Sequence, residues 1–295
     1  MNKAIDFNYY EQDIGRYIGQ NLAWVRRLLT ISQQELACLL GVSLSQYKKY
    51  EQGKDHLKIH LAGRWSVLTG SNLYCLLLGS KYHELLPQLS YVDDLKPLNL
   101  LISRLDLPSF RSYLQLILPE GQALPYWHEP APDPEFSWTR LMQQLDGDYY
   151  VHIARNLRAW RQQQHLTQEE VAEYLGITSA TYACYEREND INRFSLLMAP
   201  RFSLAFGSNT WFLGQGTYYA WYRVRQEIRF QQLQSHWRLM NPEQRQHALM
   251  LAEPLRQRLW QESLAWLCYP LDSREEIQCK SSQGIDPSST IQTGA

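Results

Sequence analysis

The 295-residue sequence predicts an all-α chain built from two tandem copies of one helical unit, each followed by additional helices. Three observations carry this reading. Apolar residues recur at spacings of three and four, and alternating β-branched runs are missing. The stretch ISQQELACLLGVSLSQYKKYEQG, Ile31 to Gly53, is echoed by LTQEEVAEYLGITSATYACYERE, Leu166 to Glu188. A proline-rich stretch then separates the two halves, as a connection between repeated units would.

Length and composition bound the class. A chain of 295 residues suits two domains of about 130 residues. Hydrophobic content of 44% and charged content of 20% fit a globular chain. No apolar run approaches the roughly 20 residues that span a bilayer. The opening MNKAIDFNYYEQDIG lacks the basic stretch and apolar core of a secretory signal, so a cytoplasmic protein with no membrane partner is expected. Cys38, Cys75, Cys184, Cys268 and Cys279 are scattered, without the spacing of a zinc site or a disulfide framework. The net charge of −1 excludes a uniformly basic surface, but an average can hide a local one.

Sliding the chain against itself by 135 residues exposes the duplication. Between Ile18 and Glu51, 12 of 34 positions are identical to their counterparts, among them Asn21/Asn156, Arg26/Arg161, Gly41/Gly176, Tyr47/Tyr182 and Glu51/Glu186. Chance would give about two. Gly70-Ser71-Asn72 recurs as Gly207-Ser208-Asn209, and RLDLPSFR (Arg104 to Arg111) resembles RLMNPEQR (Arg238 to Arg245). The whole half is therefore duplicated. The expected divisions are 1–118 for the first unit, 119–138 for a stiff linker with five prolines, 139–270 for the second unit and 271–295 for a disordered tail rich in Ser, Gln, Gly and Thr.

Each repeated stretch reads as helix, turn, helix. Ser32 and Thr167, with Glu35 and Glu170 three positions on, form capping boxes that start a helix. Ala37 and Ala172 are small where a second helix would cross. Gly41 and Gly176 stand where a left-handed residue ends the first helix, and Ser43 and Thr178 cap the next. Leu36, Leu40 and Val42, like Val171, Leu175 and Ile177, form an inward face with the tyrosine pairs Tyr47/Tyr50 and Tyr182/Tyr185. Trp24, Trp65, Trp160 and Trp211 suit burial better than stacking on single-stranded nucleic acid. Farther on, Asn241 is expected to cap a helix that begins at Pro242, and Pro254 to kink or interrupt it.

These residues resemble the helix-turn-helix of the Cro and lambda-repressor type, the XRE family, with its pattern LTQxxLAxxLGxSxxxxxxxExG. The resemblance covers about 60 residues of each half, 14–79 and 149–214. It implies that the second helix of each motif enters the major groove of double-stranded DNA. Carried over position by position, Leu44, Ser45 and Lys49 face bases in the first copy, with Ser43 and Lys48 beside them. Ser179, Ala180 and Cys184 do so in the second, with Thr178, Thr181 and Arg187 beside them. Gln33 and Gln168, at the start of the preceding helix, are expected at phosphates. Lys54 and Lys58, or Asn189 and Arg193, follow the recognition helix and are placed to track the backbone. Arg26 with Glu51, and Arg161 with Glu186, occupy positions that pair structurally in the family.

The copies differ in charge. Residues 14–64 hold eight bases and three acids, a balance of +5, whereas 152–201 hold six of each. Glu188 also stands where the family pattern has glycine. Two readings follow. In the first, a transcriptional regulator of bacterial or phage type, not an enzyme, binds DNA sequence-specifically through both motifs as a covalent pseudo-dimer. In the second, only the first motif binds DNA, and the second half, with the helices around 247–267, forms a homodimer or receives a regulatory protein partner. Neither reading needs a cofactor or a metal: His128-Glu129 stands alone, and no GxSxG, HExxH, phosphate loop or dinucleotide fingerprint is present. Cys184 reads as a space-filler before a redox switch.

Overall fold

Capping and apolar spacing set the helices in the order expected. The computed structural model describes residues 5–85, 95, 98, 101, 103–118, 123–124, 126–131, 133–188, 194–207 and 210–267; Asn189, Arg193 and the tail 271–295 lie outside them. In the first half, α1 (Phe7–Glu11) precedes α2 (Ile14–Leu28), which buries Ile14, Ile18, Leu22 and Val25 along one face. Helix α3 (Gln33–Leu40) opens on the capping box, with the Glu35 amide 3.1 Å from Ser32 Oγ and the Ser32 amide 2.6 Å from the Glu35 carboxylate. It ends at Gly41, whose φ of +70° is the left-handed cap a side chain would resist. Then come α4 (Leu44–Glu51), capped by Ser43, α5 (Ile59–Thr69), a 3₁₀ turn at Leu73–Leu77, and α6 (Lys81–Leu85). Helix α7 (Leu107–Ile117) is capped by Asp106.

The second half repeats the scheme. Helix α8 (Trp138–Asp146) leads into α9 (Tyr149–Gln163), α10 (Gln168–Leu175), α11 (Ser179–Tyr185) and α12 (Met198–Phe206), followed by a 3₁₀ turn at Thr210–Gly214. Thr167 and Glu170 form the second capping box, and Gly176 ends α10 at φ +65°. The duplication extends to single hydrogen bonds. Asn21 Nδ2 donates to the carbonyls of Leu76 and Leu78 at 3.1 and 3.0 Å, and Asn156 Nδ2 donates to those of Leu213 and Gln215, both at 2.9 Å. One amide thus ties the first helix of each motif to the 3₁₀ turn that closes its unit.

The halves meet through equivalent residues. After the recognition helices the repeat offset becomes 137, so that Lys58 corresponds to Ser195 and Arg64 to Arg201. Lys58 and Ser195 form an isolated antiparallel bridge. The Ile59 amide donates to the Phe194 carbonyl at 3.1 Å, and its counterpart, the Leu196 amide, donates to the Leu57 carbonyl at 2.9 Å. Ion pairs cross the seam in the same reciprocal way. Arg64 Nη1 lies 2.5 Å from Asp146 in the second half, and Arg201 Nε lies 2.5 Å from Glu11 in the first. Glu11 and Asp146 are themselves counterparts at offset 135. The short helix before each motif therefore packs on the other copy, with Phe7 lying over the Gly176 turn. Residue i meeting j while j′ meets i′ is the signature of a two-fold axis.

One apolar cluster draws on both halves. The apolar cluster runs without a break from Ile14 to Ala252 and includes Trp65, with Trp24 and Trp160 packed against it. Helix α13 (Tyr218–Leu239) joins the halves: Tyr222 Oη donates to the Ser66 carbonyl at 3.2 Å, and Gln226 Nε2 donates to Gly70 O and Ser103 Oγ at 3.2 and 3.0 Å. Side chains of the proline-rich segment dock on the second half. Trp127 is buried, and the Glu129 carboxylate accepts Arg229 at 2.7 and 2.9 Å, beside Arg225 at 3.6 Å. Proline blocks helix in this segment but does not stop side chains from docking. Helix α14 (Pro242–Leu267) starts at its expected cap Asn241, yet runs through Pro254 without interruption. It packs on its own counterpart α7, with Tyr113 Oη 3.0 Å from the Ala248 carbonyl.

Candidate nucleic-acid interface

Each motif is held together at its centre by one buried ion pair. Arg26 Nε and Nη2 reach the Glu51 carboxylate at 2.6 and 3.2 Å, while Nη1 donates to the Ile31 carbonyl. Arg161 reaches Glu186 at 2.7 and 2.9 Å and Leu166 O at 3.0 Å. The pair stitches the first helix to the end of the recognition helix and to the turn between. Burial alone would raise the Glu51 and Glu186 carboxyls, but the hydrogen bonds from arginine and glutamine outweigh it and hold both below the usual carboxylate range. The adjacent Tyr47 and Tyr182 phenols are fully buried, and burial pushes both far above their ordinary range, so they stay neutral.

Gln33 and Gln168 belong to the same clusters. Their Nε2 atoms donate to Glu51 at 2.6 Å and to Glu186 at 2.8 Å. The side-chain amides expected at phosphates are thus engaged by carboxylates within each motif.

On α4, Ser45, Lys48 and Lys49 are exposed and Leu44 is half-buried. Lys54 follows on the exposed turn behind Gly53, at φ +69°. Ser43 Oγ is 3.1 Å from the Gln46 amide, so it serves as the cap. No carboxylate among the described residues forms an ion pair with Lys48, Lys49 or Lys54. On α11, Ser179 and Ala180 are exposed, Thr181 and Cys184 are half-buried, and Thr178 caps Thr181 at 3.1 Å. Arg187 is exposed just beyond.

Glu188 changes the second surface. Its carboxylate binds Arg155 at 2.8 Å and stands 3.7 Å from Arg158, so two of the six bases of this copy face an internal acid. The equivalent position in the first copy is Gly53, against which the α2 backbone closes: a Cβ at Gly15 would collide with the Gly53 carbonyl, and one at Gly19 with the Glu51 carbonyl. Tyr150 and Ala154 occupy those positions in the second copy and forbid so close an approach. Tyr150 instead reaches across the seam, its hydroxyl 2.9 Å from His60 Nδ1.

Glu11, Arg64, Asp146 and Arg201, the side chains that place one motif against the other, were not singled out from the sequence. Arg64 and Arg201 are identical counterparts at offset 137, a signal visible only once the register slips by two. Among the described residues no helix is long and apolar enough to cross a membrane, and no cluster of His, Cys, Asp and Glu is placed to hold a metal.

A helix-turn-helix family model matches the chain twice, over residues 22–73 and 157–209. Neither the curated proteins nor the solved structures give a match. Both matched segments contain the capped helix pair, the left-handed glycine turn and the buried arginine–glutamate pair. The chain therefore carries two helix-turn-helix motifs of the XRE, lambda-repressor-like type in tandem, the architecture of a DNA-binding regulator.

Proposed function

We propose that the protein is a sequence-specific regulator of transcription that binds double-stranded DNA as a covalent pseudo-dimer. The observation that carries this reading is the reciprocal seam, in which Ile59 and Leu196 bond back to Phe194 and Leu57. Two motifs related by a two-fold axis suit major grooves about 34 Å apart. Covalent linkage holds the second motif at high effective concentration once the first has bound. Because the copies present different side chains, the site they read is bipartite and non-palindromic. Phosphate attraction is concentrated in the first half, where Lys48, Lys49 and Lys54 are exposed.

The engagement of Arg155 and Arg158 by Glu188 favours a second reading. There, only the first motif grips DNA, and the second half, with α14, assembles a homodimer or receives a regulatory protein. Selection of duplexes from a random pool, followed by footprinting and mass determination of the complex, separates the two. One chain on a bipartite, asymmetric site supports the pseudo-dimer. Two chains on a palindrome support the second reading, and no enrichment removes both.

A further inference from the structure

One side chain of the first recognition helix has its hydrogen-bonding role fixed within the protein. Gln46 stands in the first turn of α4, half-buried, next to the exposed Ser45 and one turn before Lys49. Its Nε2 donates to Asp55 Oδ2 at 2.6 Å, and the same side chain hydrogen-bonds the Tyr50 hydroxyl. Asp55 is anchored in turn, because its Oδ1 accepts the His56 amide at 2.7 Å. It lies just past the Gly53 turn, where the Lys54 amide donates to the Lys49 carbonyl at 2.9 Å. Burial would raise the Asp55 carboxyl, but the hydrogen bonds from Gln46 and the His56 amide outweigh it and hold it below the usual range.

An ionised carboxylate only accepts hydrogen bonds, so the atom that Gln46 turns toward Asp55 is its nitrogen. A glutamine without such a partner can present either end of its amide. Here the nitrogen is held, and Oε1 is the end left to accept from a ligand. On the DNA-binding reading, on which this inference rests, the first residues of α4 meet base edges in the major groove. In that groove only adenine N6 and cytosine N4 offer a hydrogen-bond donor, whereas guanine and thymine offer acceptors.

We propose that Gln46, oriented by Asp55, reads one base pair of the first half-site through Oε1 and selects an exocyclic amino group, adenine N6 or cytosine N4, over guanine and thymine. Asp55 is a positioning residue that acts through Gln46. Its negative charge opposes phosphate attraction from the neighbouring lysines, so it weakens general affinity while it sharpens selection. The second motif has no such device: Thr181 is the counterpart of Gln46, and its hydroxyl lies 2.8 Å from that of Thr178. Selection of this kind therefore falls in one half of the site.

The test begins with the duplex that the full chain selects from a random pool. Each base pair of the first half-site is replaced by the other three, and affinities are measured for the parent chain, Gln46→Met and Asp55→Ala. In the parent, one position should favour adenine or cytosine over guanine and thymine by about tenfold, and the better of the two identifies the amino group. Gln46→Met keeps the length of the side chain and should reduce that preference to about twofold, with every other position unchanged. Asp55→Ala frees the amide to turn, so guanine and thymine should become tolerated at that position alone, with overall affinity equal or higher. Thermal unfolding checks that both variants are folded, and each variant reports independently of the other. A uniform loss across all duplexes in Gln46→Met, or unchanged discrimination in either variant, overturns the inference and leaves DNA binding standing. No enriched duplex removes the DNA-binding reading and the inference with it.

Discussion

The two motifs share a skeleton and differ in skin. Arg26–Glu51 and Arg161–Glu186, both capping boxes, the left-handed glycines and the asparagine clamps recur at equivalent positions. On the outward face little is shared. Lys48 and Lys49 correspond to Ala183 and Cys184, Gln34 to Glu169, and Cys38 to Glu173. The difference teaches where each kind of requirement acts. A buried carboxylate without its arginine, or a helix start without its cap, costs stability wherever the motif is used. An exposed side chain costs almost nothing to change, so only function holds it in place.

The largest expected effect tests the shared skeleton. Arg26→Ala and Arg161→Ala each leave a carboxylate buried and uncompensated, and each is expected to cost about 3–5 kcal/mol in denaturant unfolding. A much smaller loss at Arg161 would show that the second copy no longer depends on its pair. The same pairs set a pH dependence. Glu51 and Glu186 have folded-state pKa values below the unfolded one. Their contribution is therefore complete above the ordinary carboxylate value of about 4.3 and is lost as pH falls through the lower folded values. Acid titration of stability should flatten in either arginine variant.

Next in size is the contrast in DNA affinity. Lys48→Ala with Lys49→Ala is expected to weaken binding by about 10–100-fold and to reduce the slope of log affinity against log salt by about 2. Ser179→Glu with Thr181→Glu should weaken binding about tenfold if the second recognition helix enters a groove. Unchanged affinity there would leave the second copy as an assembly module.

The seam is expected to respond unevenly. Glu11 is largely enclosed with Arg201, at 17% and 19% side-chain exposure, so Glu11→Gln should cost about 1–2 kcal/mol. Asp146 is 46% exposed, and Asp146→Asn should cost below about 1 kcal/mol. Equal losses in urea titrations would show the two crossings to be energetically equivalent despite their exposure. The smallest effect concerns Thr30 and His165, equivalent positions held at φ +57° and +56°. Glycine relieves that strain, so Thr30→Gly and His165→Gly should each gain about 0.5–1 kcal/mol, read as a rise in Tm.

Much of this was legible in the sequence because it is local. Capping boxes act over three residues, the glycine turn over one, and apolar spacing over a few turns; each leaves its mark where it acts. The helices, the duplication and the exposed lysines of α4 follow from such marks. Glu129 shows the limit: beside His128 in a proline-rich run it looks isolated, yet it meets Arg229 at 2.7 Å across 100 positions of sequence. Pro254 shows another: one proline removes a single hydrogen bond and disfavours helix, but α14 continues through it.

By itself, then, the sequence determined the two motifs and the charge difference between them, since caps, turns and side-chain charge belong to short stretches of chain. Only the tertiary structure decided that the halves share one core, that the short helices α1 and α8 exchange ion pairs across the seam, and that Glu188 claims Arg155 and Arg158. Those outcomes depend on which distant surfaces meet, and burial without direction along the chain leaves no periodic trace of its partner.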